Sequence, residues 1–168
     1  MRMKKKKRFD FEALGELVRA DTQEFLDTYA TTYPNDGPLL AFCLYFDSQG
    51  GIHSLVLPQK AVSKDITIDD TATWFKYADH VEAPFSERTE ELLSEYEEVF
   101  WDDEADEEEN EAVIQQFHQM ITGIVQQLTF EKVPKTDDFI FHADAMDEDY
   151  DEWNATIPPA LLKKHFDQ

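Results

Sequence analysis

Apolar residues recur at spacings of three and four between Phe9 and Tyr33, at Phe11, Leu14, Leu17, Val18, Phe25, Leu26 and Tyr29, with Asp and Glu between them. That period predicts an amphipathic helix. Pro34-Asn35-Asp36-Gly37-Pro38 ends it with strong turn chemistry. The pattern then changes. Leu39 to Phe46 is apolar at every position and too short for a typical helix, which predicts a central strand covered on both faces. Asp47-Ser48-Gln49-Gly50-Gly51 reads as a hairpin connector, and Ile52–Leu57 as the returning strand before Pro58.

Residues 58–71 read as an irregular connection or a short third strand around Ile66-Thr67-Ile68. Asp70 or Thr71 is a candidate cap for a short helix carrying Trp74, Phe75 and Tyr77. Ser86 is the candidate cap of a helix holding Leu92, Leu93, Tyr96, Val99 and Phe100. Val113, Ile114, Phe117, Met120, Ile121, Ile124, Val125 and Leu128 predict a long helix whose wide apolar stripe makes it the central packing helix. Gly123 inside it costs about 1 kcal/mol relative to Ala and suggests a close approach of helix to sheet. Phe139-Ile140-Phe141-His142 reads as a late strand, and Ile157 to Leu162 as the start of a terminal helix with Pro in its first turn. The expected fold is α+β: an antiparallel sheet nucleated by the central hairpin, with helices packed mainly on one face.

With 168 residues, no internal repeat and no Gly/Ser linker, the chain reads as a flexible basic tail over 1–8 and a single domain over 9–168. Thirteen Phe, six Tyr and three Trp exclude a disordered acidic protein. The tail, Met1-Arg2-Met3-Lys4-Lys5-Lys6-Lys7-Arg8, lacks the apolar stretch of a signal peptide, because Asp10, Glu12, Glu16 and Arg19 follow. No run approaches the roughly 20 apolar residues of a membrane span. Cys43 is the single cysteine, so no internal disulfide forms, and it reads as a buried small hydrophobe. These features predict a cytoplasmic protein.

Candidates for chemistry are weak. Asp147, Asp149 and Asp151 alternate like the start of a calcium loop, but Glu152 stands where that loop needs Gly and Pro158 where it needs its closing Glu. The five histidines, His53, His80, His118, His142 and His165, are scattered and match no zinc pattern. His118 reads as a hydrogen-bonded core or boundary residue, and His142 with Asp144 as a solvated ion pair at a strand end. No nucleophile elbow, P-loop or dinucleotide fingerprint occurs. No catalytic residue, metal ligand or cofactor is expected, and the chain does not read as an enzyme. A metal-dependent enzyme at His142 and Asp144 is the minor alternative.

Charge dominates what remains. The formal net charge is −22, concentrated in Asp102, Asp103, Glu104, Asp106, Glu107, Glu108, Glu109 and Glu111, and again in Asp144, Asp147, Glu148, Asp149, Asp151 and Glu152. The first run reads as a solvated loop or a frayed helix start, since dense like charges resist packing. Such a surface repels nucleic acid and anionic lipid and speeds encounter with a basic protein. A merely solubilising face is the bland alternative. Aromatics interleave with the acids, Trp101 before one run and Tyr150 and Trp153 in the other. Packed aromatics ringed by charge suit a protein interface. The expected partner-binding residues are therefore Trp101, Asp102, Asp103, Glu104, Asp106, Glu107, Glu108 and Glu109, with Asp147, Asp149, Tyr150, Asp151 and Trp153.

Three stretches also carry a family likeness: the helix–turn–strand opening through Leu39–Phe46 and Gly50-Gly51, the segment Thr73-Trp74-Phe75-Lys76-Tyr77-Ala78, and the tail from Phe139-Ile140-Phe141-His142-Ala143-Asp144 through Glu152-Trp153-Asn154 to Pro158-Pro159. Together they resemble the bacterial family called domain of unknown function 4303. The lysine-rich start and the dense Asp102–Glu111 run depart from it. By analogy of size and acidity the resemblance implies an immunity protein that occludes a basic toxin domain, with no catalytic residue to transfer. A regulatory module with a non-toxin basic partner is the alternative, and the oligomeric state is left open.

Overall fold

The structure, a computed structural model, describes residues 9–78 and 83–166. The basic tail expected over 1–8 lies outside the described residues. Helix α1 spans Phe11–Thr32 and starts where the Asp10 side chain accepts a hydrogen bond from the Ala13 amide at 3.0 Å. Its buried stripe, Leu14, Val18, Phe25, Leu26 and Tyr29, is the one the sequence period predicts. The turn after it is pinned by a buried carboxylate: Asp36 accepts hydrogen bonds from the hydroxyls of Tyr29 and, at 2.7 Å, Tyr77.

Strands β1 (Leu39–Phe46) and β2 (Ile52–Pro58) form the expected hairpin, with Phe46 opposite Ile52 and Cys43 opposite Leu55. In the connector the Asp47 amide donates to the Gly51 carbonyl at 2.9 Å, and Gly50 takes φ 109°, a region that side chains with a Cβ rarely enter. Strand β1 is buried along almost its whole length because it lies between β2 and β3 (Lys135–Ala145), in the order β2-β1-β3.

The sheet is not the antiparallel one expected. Strand β3 runs parallel to β1, with Cys43 opposite His142 and Phe46 opposite Ala145, so the sheet is mixed. A parallel neighbour requires a crossover, and the chain supplies one. Strand β2 already ends beside the start of β1, with Pro58 opposite Leu39. Helix α2 (Phe75–Ala78), helix α3 (Glu87–Phe100) and helix α4 (Glu107–Gln127) then take the chain from the β2 side of β1 to its other side. There the Leu39 amide donates to the Pro134 carbonyl at 2.8 Å. The register slips between Leu39 and Ala41, where β3 advances from Lys135 to Ile140.

Both faces of the sheet are covered. Phe42, Leu44, Phe46, Val56 and Ala143 pack against the three long helices α1, α3 and α4. Ala41, Cys43, Leu55, Leu57 and Ile140 pack instead against Trp74, Ile157 and the inner side of the terminal helix α5 (Pro159–Phe166). Each large side chain buried this way contributes about 1.5–3 kcal/mol, and truncating fully buried Phe42 to Ala costs about 3–5 kcal/mol. Of the segment 58–71, Pro58 ends β2 and residues 59–71 form no strand. The segment is held by a 3-10 turn at Gln59–Ala61 and by the Trp74 indole donating to the Thr67 carbonyl at 2.8 Å, with Ile66 and Ile68 half-buried on the second core. A second 3-10 turn, Thr71–Trp74, leads into α2, and Asp70 precedes it without a side-chain cap. Ser86 caps α3 as expected, accepting from the Thr89 amide at 3.3 Å. The Asp21 carboxylate then takes the Ser86 amide and the Thr89 hydroxyl, tying α1 to α3.

Gly123 does not serve the close helix-to-sheet approach expected of it: a Cβ placed there meets no atom within 4 Å. The tight spot is Gly15 of α1, whose Cβ would stand 3.2 Å from Met120 Cγ of α4.

Candidate docking surface

The first acidic run forms the corner between α3 and α4. The Asp102 carboxylate accepts from the Glu104 amide at 3.0 Å, and the Asp106 carboxylate caps α4 by accepting from the Glu109 amide at 2.8 Å. Glu107, Glu108 and Glu109 are the first turn of α4, fully helical and exposed. Their repulsion is offset because the positive end of the helix dipole lies beneath them. Asp103, Glu104 and Asp106 are exposed and Asp102 is half-buried. Trp101 ends α3 beside this corner with 63% of its surface exposed, resting edge-on against Phe100 at 5.1 Å between ring centres.

The second run is built differently. Strand β3 ends at Ala145, and Asp147 takes φ 55°, a left-handed turn that Asp tolerates better than most residues. Asp147, Asp149 and Asp151 are exposed. Tyr150 points inward: it is buried, stands edge-on to Phe46 at 5.0 Å, and its hydroxyl shares a hydrogen bond with Thr122 at 2.6 Å. Trp153 is half-buried and packs on Phe166 at 5.1 Å. Of the three aromatic side chains expected at an interface, Trp101 alone projects into solvent.

Glu148, one acid among many in the sequence, joins the elements at this end of the sheet. One carboxylate oxygen accepts from His118 Nε2 at 2.8 Å; the other accepts from the Ser48 hydroxyl at 2.7 Å and the Ser48 amide at 3.3 Å. The Tyr96 hydroxyl donates to the Ser48 carbonyl at 2.6 Å. Hairpin, α3, α4 and the 146–152 loop are thus locked together. The loop so placed forms one wall of a groove of about 670 Å³ whose other wall is α4. Glu111 from the first acidic run and Asp149, Asp151 and Glu152 from the second line the same groove, so the fold brings together two acidic runs that lie far apart in sequence.

His142 and Asp144 do not form the solvated ion pair expected of them. His142 is 1% exposed, its Nδ1–H reaches only the Ala143 carbonyl at 3.5 Å, and its Nε2 has no hydrogen-bond partner. The rings of Trp74, Trp153 and Phe166 surround it at 6.0, 6.4 and 6.0 Å. Burial holds the imidazole down at about 4, so it is neutral at pH 7. The neighbouring Cys43 thiol is pushed well up by burial and by Asp144, which suits packing and not nucleophilic chemistry. Asp144 is itself raised by burial, and its carboxylate accepts from the Ala145 amide at 3.0 Å. Among the described residues, no group of three or more His, Cys, Asp or Glu is placed to hold a metal ion, and no helix is long and apolar enough to cross a membrane.

No protein-family model, curated protein or solved structure matches this chain.

Proposed function

We propose that this chain is an acidic cytoplasmic protein-binding domain, an immunity-type protein that occludes a basic toxin domain, akin to domain of unknown function 4303. The observation that carries the reading is the exposed Trp101 indole beside a corner of solvent-facing carboxylates. Packing on such a ring supplies affinity, and the surrounding charge supplies rate of encounter. Asp102–Glu109 steers the partner, and Trp101 docks first. Glu111, Asp149, Asp151 and Glu152 then take up its Lys and Arg side chains along the groove. If that partner is a nuclease, the acids occupy its phosphate-binding surface and exclude nucleic acid. The test is association kinetics with the partner at low and high salt, comparing the natural chain with Trp101→Ala. Loss of affinity with little change in on-rate supports the anchor role; unchanged affinity contradicts it.

A further inference from the structure

Ala112 to Phe130 contains no Asp, Glu, Lys or Arg, in a chain whose residues are 31% charged. Much of this stretch is not core. Gln115, Gln116, Gln119, Gln126 and Gln127 are all exposed on α4, and at 100° per residue they fall on one side of the helix with Gly123 near the centre. The glycine has no packing reason to be there, because a Cβ would meet nothing within 4 Å, and mid-helix glycine is unfavourable. Gln119 and Gly123 line both the groove against the 149–152 loop and a second groove of about 440 Å³ against α1. The helix surface is therefore lowest where the two grooves meet. Acids stand on both sides, Glu111, Asp149, Asp151 and Glu152 on one, Glu12 and Glu16 on the other, and among the described residues Arg19 is the one Lys or Arg lining either groove.

We propose that this uncharged strip of α4, centred on Gly123, is the contact surface for a segment of a basic protein. The segment lays its backbone or small side chains over Gly123 and sets Lys or Arg against the acids on either side. A charge-depleted centre within a charged rim is the anatomy of a protein interface. The missing Cβ allows an approach that any other residue would hold off, and the glutamine amides offer donors and acceptors to a passing backbone. Charge decides the occupant. A second copy of this chain would set acid against acid at a net charge of −22 each, whereas a Lys/Arg-bearing segment is complementary on both sides.

This inference rests on the docking reading above, and one experiment separates the two. Peptides are selected from a random display library against the full chain at about 150 mM salt, a level that screens loose charge contacts. The binders are then titrated against Gly123→Leu and Gln119→Lys. Gly123→Leu fills the strip without touching the core, and Gln119→Lys alters only an exposed side chain, so a folding defect in one does not disable the test. The expected result is binders with Lys or Arg on both sides of an uncharged stretch, weakened about tenfold or more by each variant. Basic binders indifferent to both variants overturn the strip and leave the docking reading standing. Binders without basic residues, or none, overturn both. A chain that sediments as a dimer and becomes monomeric with Gln119→Lys assigns the strip to self-association and overturns the proposal. Basic binders that appear only after Lys4–Lys7 are replaced by Gln assign it to the chain's own terminus, with the same consequence.

Discussion

Glu148 and His118 meet at 2.8 Å, carboxylate oxygen to imidazole Nε2, and through this contact the 146–152 loop is fixed to α4. The other oxygen of Glu148 holds the hairpin turn through Ser48. Glu148→Ala removes an acceptor shared by three donors and leaves the Ser48 amide without its partner. The expected cost is about 1–3 kcal/mol in urea-induced unfolding. The groove should also lose its wall, seen as faster hydrogen exchange over 146–152. A variant as stable and as protected as the natural chain would show that the contact holds nothing.

His142 makes stability pH-dependent. Its pKa falls from 6.5 to about 4 on burial, so the folded state prefers the neutral ring. The contribution is complete above pH 6.5, is lost as pH falls toward 4, and is constant below that, for a total of about 3 kcal/mol. Asp144, raised by burial, acts in the opposite sense, and so the quantity to read is the difference between the natural chain and His142→Leu. The gap between their unfolding free energies should widen in favour of His142→Leu between pH 6.5 and 4. A constant gap contradicts the buried neutral imidazole.

Asp36 controls two tyrosines. Tyr77 is pushed up to about 12 by burial first and then by its hydrogen bond to Asp36, and Tyr29 is raised for the same two reasons. Replacing Asp36 with Asn removes the negative charge but keeps an acceptor. The ultraviolet titration of tyrosinate should then shift to lower pH, with stability reduced by about 1–3 kcal/mol from the buried bonds. An unmoved titration would mean that burial alone sets both groups.

The two helix glycines should respond differently to alanine. Gly123→Ala meets open space and removes a poor helix former, raising Tm by about 2–4 °C. Gly15→Ala must push Met120 from 3.2 Å and should gain less. Equal gains at both sites would contradict the close approach of α1 and α4.

Elements set by local pattern were legible in the sequence: the stripe of α1, the doubly covered β1, the Ser86 cap and the long apolar α4. Strand direction was not. Phe139–His142 has the same alternation whichever way it runs, and the parallel pairing with β1 follows from where the intervening helices return the chain. Burial at β3 was also hidden, since His142 next to acids reads as solvated until Trp74, Trp153 and Phe166, from three other segments, close over it. Tyr150 sits in an acidic run yet turns inward, because Phe46 and Thr122 meet it from β1 and α4. The uncharged stretch of α4 is plain in the sequence, but its exposed glutamines become a strip between two grooves only where α1 and the 149–152 loop flank the helix.

The most direct test of the docking account replaces Asp106 with Asn, which keeps the cap of α4, and Glu107, Glu108 and Glu109 with Gln. A basic protein retained by the natural chain at moderate salt is identified by mass spectrometry, purified, and its association rate with both forms measured across ionic strength. The account predicts a steep loss of rate for the neutralised form at low salt and convergence at high salt. Equal rates at low salt, or retention only of many basic proteins that wash away with salt, would contradict it and leave the acidic face as a means of staying soluble.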